Sequence, residues 1–187
     1  MSTQVDKKKL QQDFWKQVLE QAQKISQDEP FLENFIGSQV QMHDSLCKAL
    51  AHQLALKLDH HSIDKDEVKR LLLDAFQRSD ALLWATCEDI KAYVDRDPAC
   101  ELYLEPFLYF KGFHALQVYR ASHVYWRRGQ KMTAKLLQSL AAQSFSVDIH
   151  PAAKIGQGIM FDHATGIVIG ETAVVGDNCS IYHNVTL

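Results

Sequence analysis

Val147–Leu187 reads VDIHPAAKIGQGIMFDHATGIVIGETAVVGDNCSIYHNVTL, and its spacing decides the fold of this part of the chain. Ile149, Ile155, Phe161 and Ile167 fall six apart, as do Ile169, Val175, Ile181 and Leu187. The second series is displaced from the first by two residues. A compact residue stands four after the aliphatic at Ala173, Cys179 and Val185, and glycine follows it directly at Gly156, Gly170 and Gly176. A pair of hairpins would alternate with period two and gives no repeat of six. A six-residue period is that of a solenoid with one short strand per hexad, its aliphatic turned inward. Three hexads close a triangular coil, and successive coils stack as parallel strands about 4.8 Å apart.

The displacement makes this pattern specific. With hexads starting at 149, 155, 161, 169, 175 and 181, the third stacks on the sixth. His163 and His183, each third in its hexad, are expected one above the other at the same corner. The two extra residues are expected to bulge outward around Ile167-Val168, beside Asp162-His163, and bulges of this kind re-aim side chains at sites. About two coils fit between Ile149 and Leu187. A solenoid needs several coils and a cap, so the repeat reads as cut, as in a truncated form of a longer chain.

Upstream the period is helical. Leu10, Phe14, Val18, Ala22 and Ile25 share one face of a first helix, which SQDEP (Ser26–Pro30) ends. A second helix is expected over about Ser38–Leu58 on the stripe Leu46, Leu50, Leu54, Leu58. Asp64 reads as the cap of a third helix containing Val68, Leu71, Leu72, Ala75 and Phe76. A fourth covers about Ala81–Val94. Asp97-Pro98 has the form of a helix N-cap with proline at the first helical position, and Glu105-Pro106 repeats it. A long helix is expected from Pro106 to about Arg128, ended by Gly129, and a last one over Lys131–Phe145. The reading is an α+β multidomain chain: an all-helical domain over residues 1–145, then the first coils of a parallel β-helix over residues 146–187.

Composition excludes several classes. Of 187 residues, 20 are Lys or Arg and 23 Asp or Glu, a net charge of −3 with no basic stripe, which argues against nucleic acid as a partner. No apolar run approaches the ~20 residues of a membrane span. Cys47, Cys87, Cys100 and Cys179 form no C-x-x-C pair, which fits free thiols in a reducing cytoplasm.

Candidate chemistry concentrates at one corner. A carboxylate that holds one nitrogen of an imidazole fixes its tautomer and stabilises the imidazolium, making the histidine a general base. His163 has Asp162 beside it in sequence and Asp148 fifteen residues earlier, within reach through space. Asp162, as chain neighbour, points elsewhere and can face a substrate ammonium or hydroxyl. The competing reading is a solvated β-helix corner. His150 reads as a turn residue and His183 as a surface histidine. His43 and Cys47, four apart, lack further ligands for a metal. His60-His61 reads as a solvated turn. His114 and His123 lie in an aromatic helix that reads as core or subunit interface, and Asp97 as a helix cap.

These residues resemble a known family. The segment 147–187, with DPAC (97–100), FLYFKGFHALQVYR (107–120) and HDSLCKALAHQLALKL (43–58), is similar to serine acetyltransferases. The resemblance implies that the β-helix is left-handed. It implies acetyl transfer from acetyl-CoA, a co-substrate and not a resident cofactor, to the L-serine hydroxyl, giving O-acetyl-L-serine for cysteine biosynthesis. It implies His163 as general base, Asp148 as its orienting carboxylate, and Asp97 and Asp162 as serine-binding residues, with no metal. In the family a glycine-rich turn, an Arg-His pair that grips the serine carboxylate, the CoA groove and a C-terminal tail follow the matched segment. Cofactor-binding residues are therefore expected beyond residue 187, and a chain ending there is expected to be inactive. The resemblance also implies a homo-oligomer (trimer or hexamer), feedback by L-cysteine, and docking of O-acetylserine sulfhydrylase where that tail is present. The alternatives are another hexapeptide acyltransferase with a different acceptor and a non-catalytic oligomeric assembly module.

Overall fold

The computed structural model describes residues 2–58 and 63–187, with side chains from residue 7 onward. The expectation for His60-His61 lies outside the described residues. Helix α1 spans Ser2–Asp28, and Phe14, Val18 and Ala22 of its stripe are buried. A 3₁₀ turn (Pro30–Leu32), the short α2 (Glu33–Ile36) and a π-turn (Gly37–Gln41) follow. Helix α3 begins at Leu46, not Ser38, and runs to Lys57. The helical ladder widens at 37–41 and stops at Met42, so the stripe Leu46, Leu50, Leu54, Leu58 is buried but serves a shorter helix than its spacing suggests.

Helix α4 (Lys65–Gln77) starts as expected on Asp64, whose carboxylate accepts from the Asp66 N–H at 2.7 Å. Helix α5 covers Asp80–Arg96. The expected long helix is two, α6 (Leu104–Tyr109) and α7 (Lys111–Arg127), because Phe110 takes an extended ψ of 108° and packs edge-on against Tyr93. Gly129, at φ 78°, ends α7, and α8 (Lys131–Phe145) turns back along it.

Strands β1 (Val147–Ile149), β2 (Lys154–Ile155), β3 (Met160–Asp162), β4 (Ile167–Ile169), β5 (Val174–Val175) and β6 (Ser180–Tyr182) form three parallel pairs, β1–β4, β2–β5 and β3–β6. Phe161 pairs with Ile181, Ile155 with Val175 and Ile149 with Ile169. These are the faces of a triangular coil, with Ile149, Phe161, Ile169, Val175 and Ile181 buried inside it. His163 and His183 lie one above the other, their rings meeting edge-on at 6.2 Å, as the displaced period requires. The two extra residues sit elsewhere than expected. Ile167 and Ile169 are regular strand residues facing inward, and the insertion is taken up in the turn before them. There His163 (φ 54°), Ala164 (φ 60°) and Gly166 (φ 76°) are left-handed. A continuous pairing register through Val147–Ile167 leaves the corner as the place that can absorb extra chain.

The helices close the open edge of the first coil with side chains. In a parallel ladder both polar groups of one residue face the same neighbour. The Met160 N–H donates to the Cys179 carbonyl in the second coil, so Phe161 faces the other way, where no strand follows. Its N–H and C=O both bond the Tyr93 hydroxyl of α5. Asp89 accepts from the Ile159 N–H, Arg120 donates to Gly156 O, Tyr119 to Ala153 O and His123 to Pro151 O. A buried strand edge thus has its backbone groups satisfied.

Candidate active site

Asp97, Asp162 and His163 meet in one cleft of about 440 Å³ between the end of α5, the α6–α7 break and the β3 corner. Tyr93, Glu105, Tyr109, Lys111 and Gly112 complete its walls. Asp97 comes from the helical side. It is not the N-cap its Asp-Pro pattern suggests but the C-cap of α5, its N–H donating to Tyr93 O at 2.8 Å. Its carboxylate accepts from the Ala99 N–H at 2.9 Å in a tight turn over 97–100, the local bonding that makes Asp favourable there. That leaves its second oxygen for a ligand.

Asp162 and His163 come from the coil. The His163 side chain is 77% exposed, so its nitrogens are open to a reactant, and Nε2 lies 3.7 Å from Asp162 Oδ1. Asp162 is the carboxylate nearest this ring among the described residues. Asp148 stands on β1 opposite Val168, and its Oδ1 accepts from Gln138 Nε2 of α8 at 2.6 Å. It does not line the cleft and makes no ion pair with His163 within 4.0 Å. The corner that holds His163 is strongly constrained. Ala164 is fully buried, the Gly166 N–H donates to Ser146 O, the Asn184 N–H to Thr165 O, and Lys111 Nζ to Thr165 Oγ1. Two successive left-handed non-glycine residues cost about 1–2 kcal/mol each, and such strain persists only where the surroundings over-determine it.

Gly112 allows the two halves to meet. A Cβ there would overlap the Phe161 carbonyl oxygen and come within 2.9 Å of the Ala164 and Phe161 Cβ atoms. Behind the wall lies a buried polar network. Asp89 accepts from Arg120 Nε and Nη2 at 2.8 Å each, from Gln117 Nε2 at 2.9 Å and from the Ile159 N–H at 3.0 Å. Burial raises the Asp89 pKa. Four donors oppose that and offer no acceptor to a carboxyl proton, so we read the group as ionised. Burial also raises the Tyr93 phenol pKa, which keeps its proton in place.

Sequence reading missed Tyr93, Lys111 and Gly112 as walls of the cleft. A glycine within the aromatic run Phe110–Phe113 was the available signal of close backbone approach; Tyr93 carried none. The other histidines have local partners. His150 Nδ1 accepts from the Ala152 N–H, and its ring stands edge-on to Trp126. His114 is buried and bonds Phe107 O. His43 packs on His52 at 4.8 Å, and burial pushes the Cys47 thiol up to about 11. Among the described residues no group of three His, Cys, Asp or Glu side chains could hold a metal ion, and no helix is long and apolar enough to cross a membrane.

The family model described as "Serine acetyltransferase, N-terminal" matches residues 14–118. The chain belongs to the serine acetyltransferase family. It is 46% identical over 175 residues to chloroplastic serine acetyltransferase 1 of Arabidopsis thaliana, covering 94% of this chain and 56% of that protein. Soybean serine acetyltransferase solved in complex with serine is 42% identical with a TM-score of 0.90, covering 95% of this chain and 73% of that one. A serine acetyltransferase solved in complex with CoA is 42% identical with a TM-score of 0.92, covering 95% and 76%. The chain spans about half to two thirds of the length of the curated relatives it matches. Its helical region followed by coils of a left-handed β-helix is the serine acetyltransferase fold.

Proposed function

We propose that residues 1–187 carry the serine-binding and proton-abstracting part of a serine O-acetyltransferase. The observation that supports this is the meeting of the Asp97 and Asp162 carboxylates, from two different parts of the fold, beside the exposed His163 ring. Two carboxylates suit the ammonium of an amino acid. A serine held there presents its hydroxyl to His163. The imidazole takes the hydroxyl proton as the oxygen attacks the thioester carbon of acetyl-CoA. The tetrahedral intermediate collapses with loss of the CoA thiolate, which recovers the proton from the imidazolium, leaving O-acetyl-L-serine, CoA and neutral His163. No nucleophile of the protein enters the sequence of steps.

In this reading Asp162 binds the ammonium and stabilises the imidazolium. Asp148 takes the orienting role by exchanging Gln138 for the His163 ring, an exchange that Gln138→Ala would favour. The CoA site is assigned to no residue of this segment. The same reading makes 1–145 the helical, oligomer-forming unit and 146–187 the acyltransferase unit of a cytoplasmic homo-oligomer, subject to feedback by L-cysteine.

The test is serine-dependent release of the CoA thiol from acetyl-CoA, with homoserine and hexosamines as competing acceptors. With residues 1–187 followed by coils that hold acetyl-CoA, the reading predicts release with L-serine and its loss in His163→Ala. Equal release by the wild type and His163→Ala would overturn it, as would release with a hexosamine but not serine.

A further inference from the structure

We infer that Tyr93 is the positioning residue that sets the spacing between the two halves of the serine site. The inference rests on the serine reading above, but it is carried by geometry of its own. Tyr93 sits in the last turn of α5 and is 2% exposed. Its backbone carbonyl accepts the Asp97 N–H at 2.8 Å. Its hydroxyl donates to Phe161 O at 3.0 Å and accepts from Phe161 N–H at 3.1 Å, directly before Asp162-His163. One rigid aromatic side chain therefore spans from the main chain that carries Asp97 to the main chain that carries Asp162.

The local chemistry explains why a tyrosine is needed there. Phe161 lies on the open edge of the first coil, and its two polar groups require a donor and an acceptor at one point. A hydroxyl is both. A phenylalanine fills the same volume but leaves a buried N–H and C=O without partners, and such groups pull the backbone toward other partners or water. The segment that would move is the one leading into the left-handed His163 turn. Tyr119 offers an internal comparison. It too is buried and closes the same open edge, donating to Ala153 O at 2.6 Å, but it stands outside the cleft.

The test compares Tyr93→Phe and Tyr119→Phe, with the kinetics run on a chain in which coils that hold acetyl-CoA follow residue 187. Thermal unfolding should report a loss of stability in both. Tyr93→Phe alone should raise the KM for L-serine about 10-fold or more, the equivalent of one or two lost hydrogen bonds, with the KM for acetyl-CoA within about twofold. It should also displace the His163 Cε1–H resonance, which Tyr119→Phe leaves in place. A serine KM within about twofold of wild type would reduce Tyr93 to an edge cap and overturn the inference. Should the wild-type chain fail to acetylate serine at all, the serine reading fails first. The His163 resonance then decides on Tyr93: an unmoved signal in Tyr93→Phe overturns the positioning role, and a displaced one upholds it.

Discussion

The helical bundle, in which α1 packs on α5 and α3 on α4, and the junction of α5 and α7 with the first coil are both buried, but they are held by different forces. The bundle is joined by aliphatic stripes: Val18 and Ala22, Leu50 and Leu54, Val68 and Leu72, all nearly or fully buried. The junction is joined by hydrogen bonds from Asp89, Tyr93, Tyr119 and Arg120 to the backbone of the coil. Apolar packing tolerates exchange of one aliphatic for another, whereas a fully satisfied polar network rigidifies and specifies one arrangement. The candidate site lies across the second kind of contact. A site shared between two elements needs that precision more than it needs adhesion.

The largest separation of the two regions concerns chemistry without stability. His163→Ala should lower turnover by about 10²–10⁴-fold, the range for a lost general base. Because that side chain is 77% exposed, the thermal midpoint should not move. A matching fall in the midpoint would make the corner a structural element and not a reactive one. Next comes stability at the junction. Asp89→Ala strands Arg120 and the Ile159 N–H, and urea unfolding should show a loss of about 3–5 kcal/mol. Leu54→Ala in the bundle should cost about 2–5 kcal/mol from its cavity, with the serine KM unchanged, while Asp89→Ala should raise it. Equal effects on serine would erase the contrast.

Gly112→Ala should cost about 1–3 kcal/mol through overpacking against Phe161 and Ala164, and it should weaken serine binding by moving α7 off the corner. The last effect is one of pH. Burial holds the His114 pKa down at about 3, with Lys57 adding to the shift. The folded value lies below the unfolded one near 6.5, so the contribution is complete above pH 6.5 and lost as pH falls towards 3. Unfolding free energy should fall by about 1.4 kcal/mol per pH unit in that range from this group. In His114→Leu the slope should flatten, as measured by urea unfolding at pH 7, 6 and 5; an unchanged slope would assign the acid sensitivity elsewhere.

The contrast also explains what the sequence could reveal. Apolar contact leaves a period, so the helices of the bundle and the hexads were readable, and with them the stacking of His163 on His183. Polar contact leaves none. Asp89, Gln117 and Arg120 look like ordinary polar residues of amphipathic helices, and Tyr93 like a core aromatic. Asp97-Pro98 matched a helix start, yet the same side chain serves a turn after a helix end, since both uses satisfy free N–H groups. The break at Phe110 had no proline to announce it. The two-residue displacement showed that extra chain existed, but only pairing of Val147 with Ile167 located it at 163–166. Asp162 and His163 were candidates from the residues themselves and Asp97 from the family resemblance alone, and their common cleft follows from the fold.

The most direct measurement is a titration of L-serine into the isotopically labelled chain, followed on the backbone amides. The account predicts shifts centred on Asp97, Asp162 and His163 that vanish in Asp97→Ala. An absence of shifts there, or the same shifts in Asp97→Ala, would contradict a serine site built across the junction.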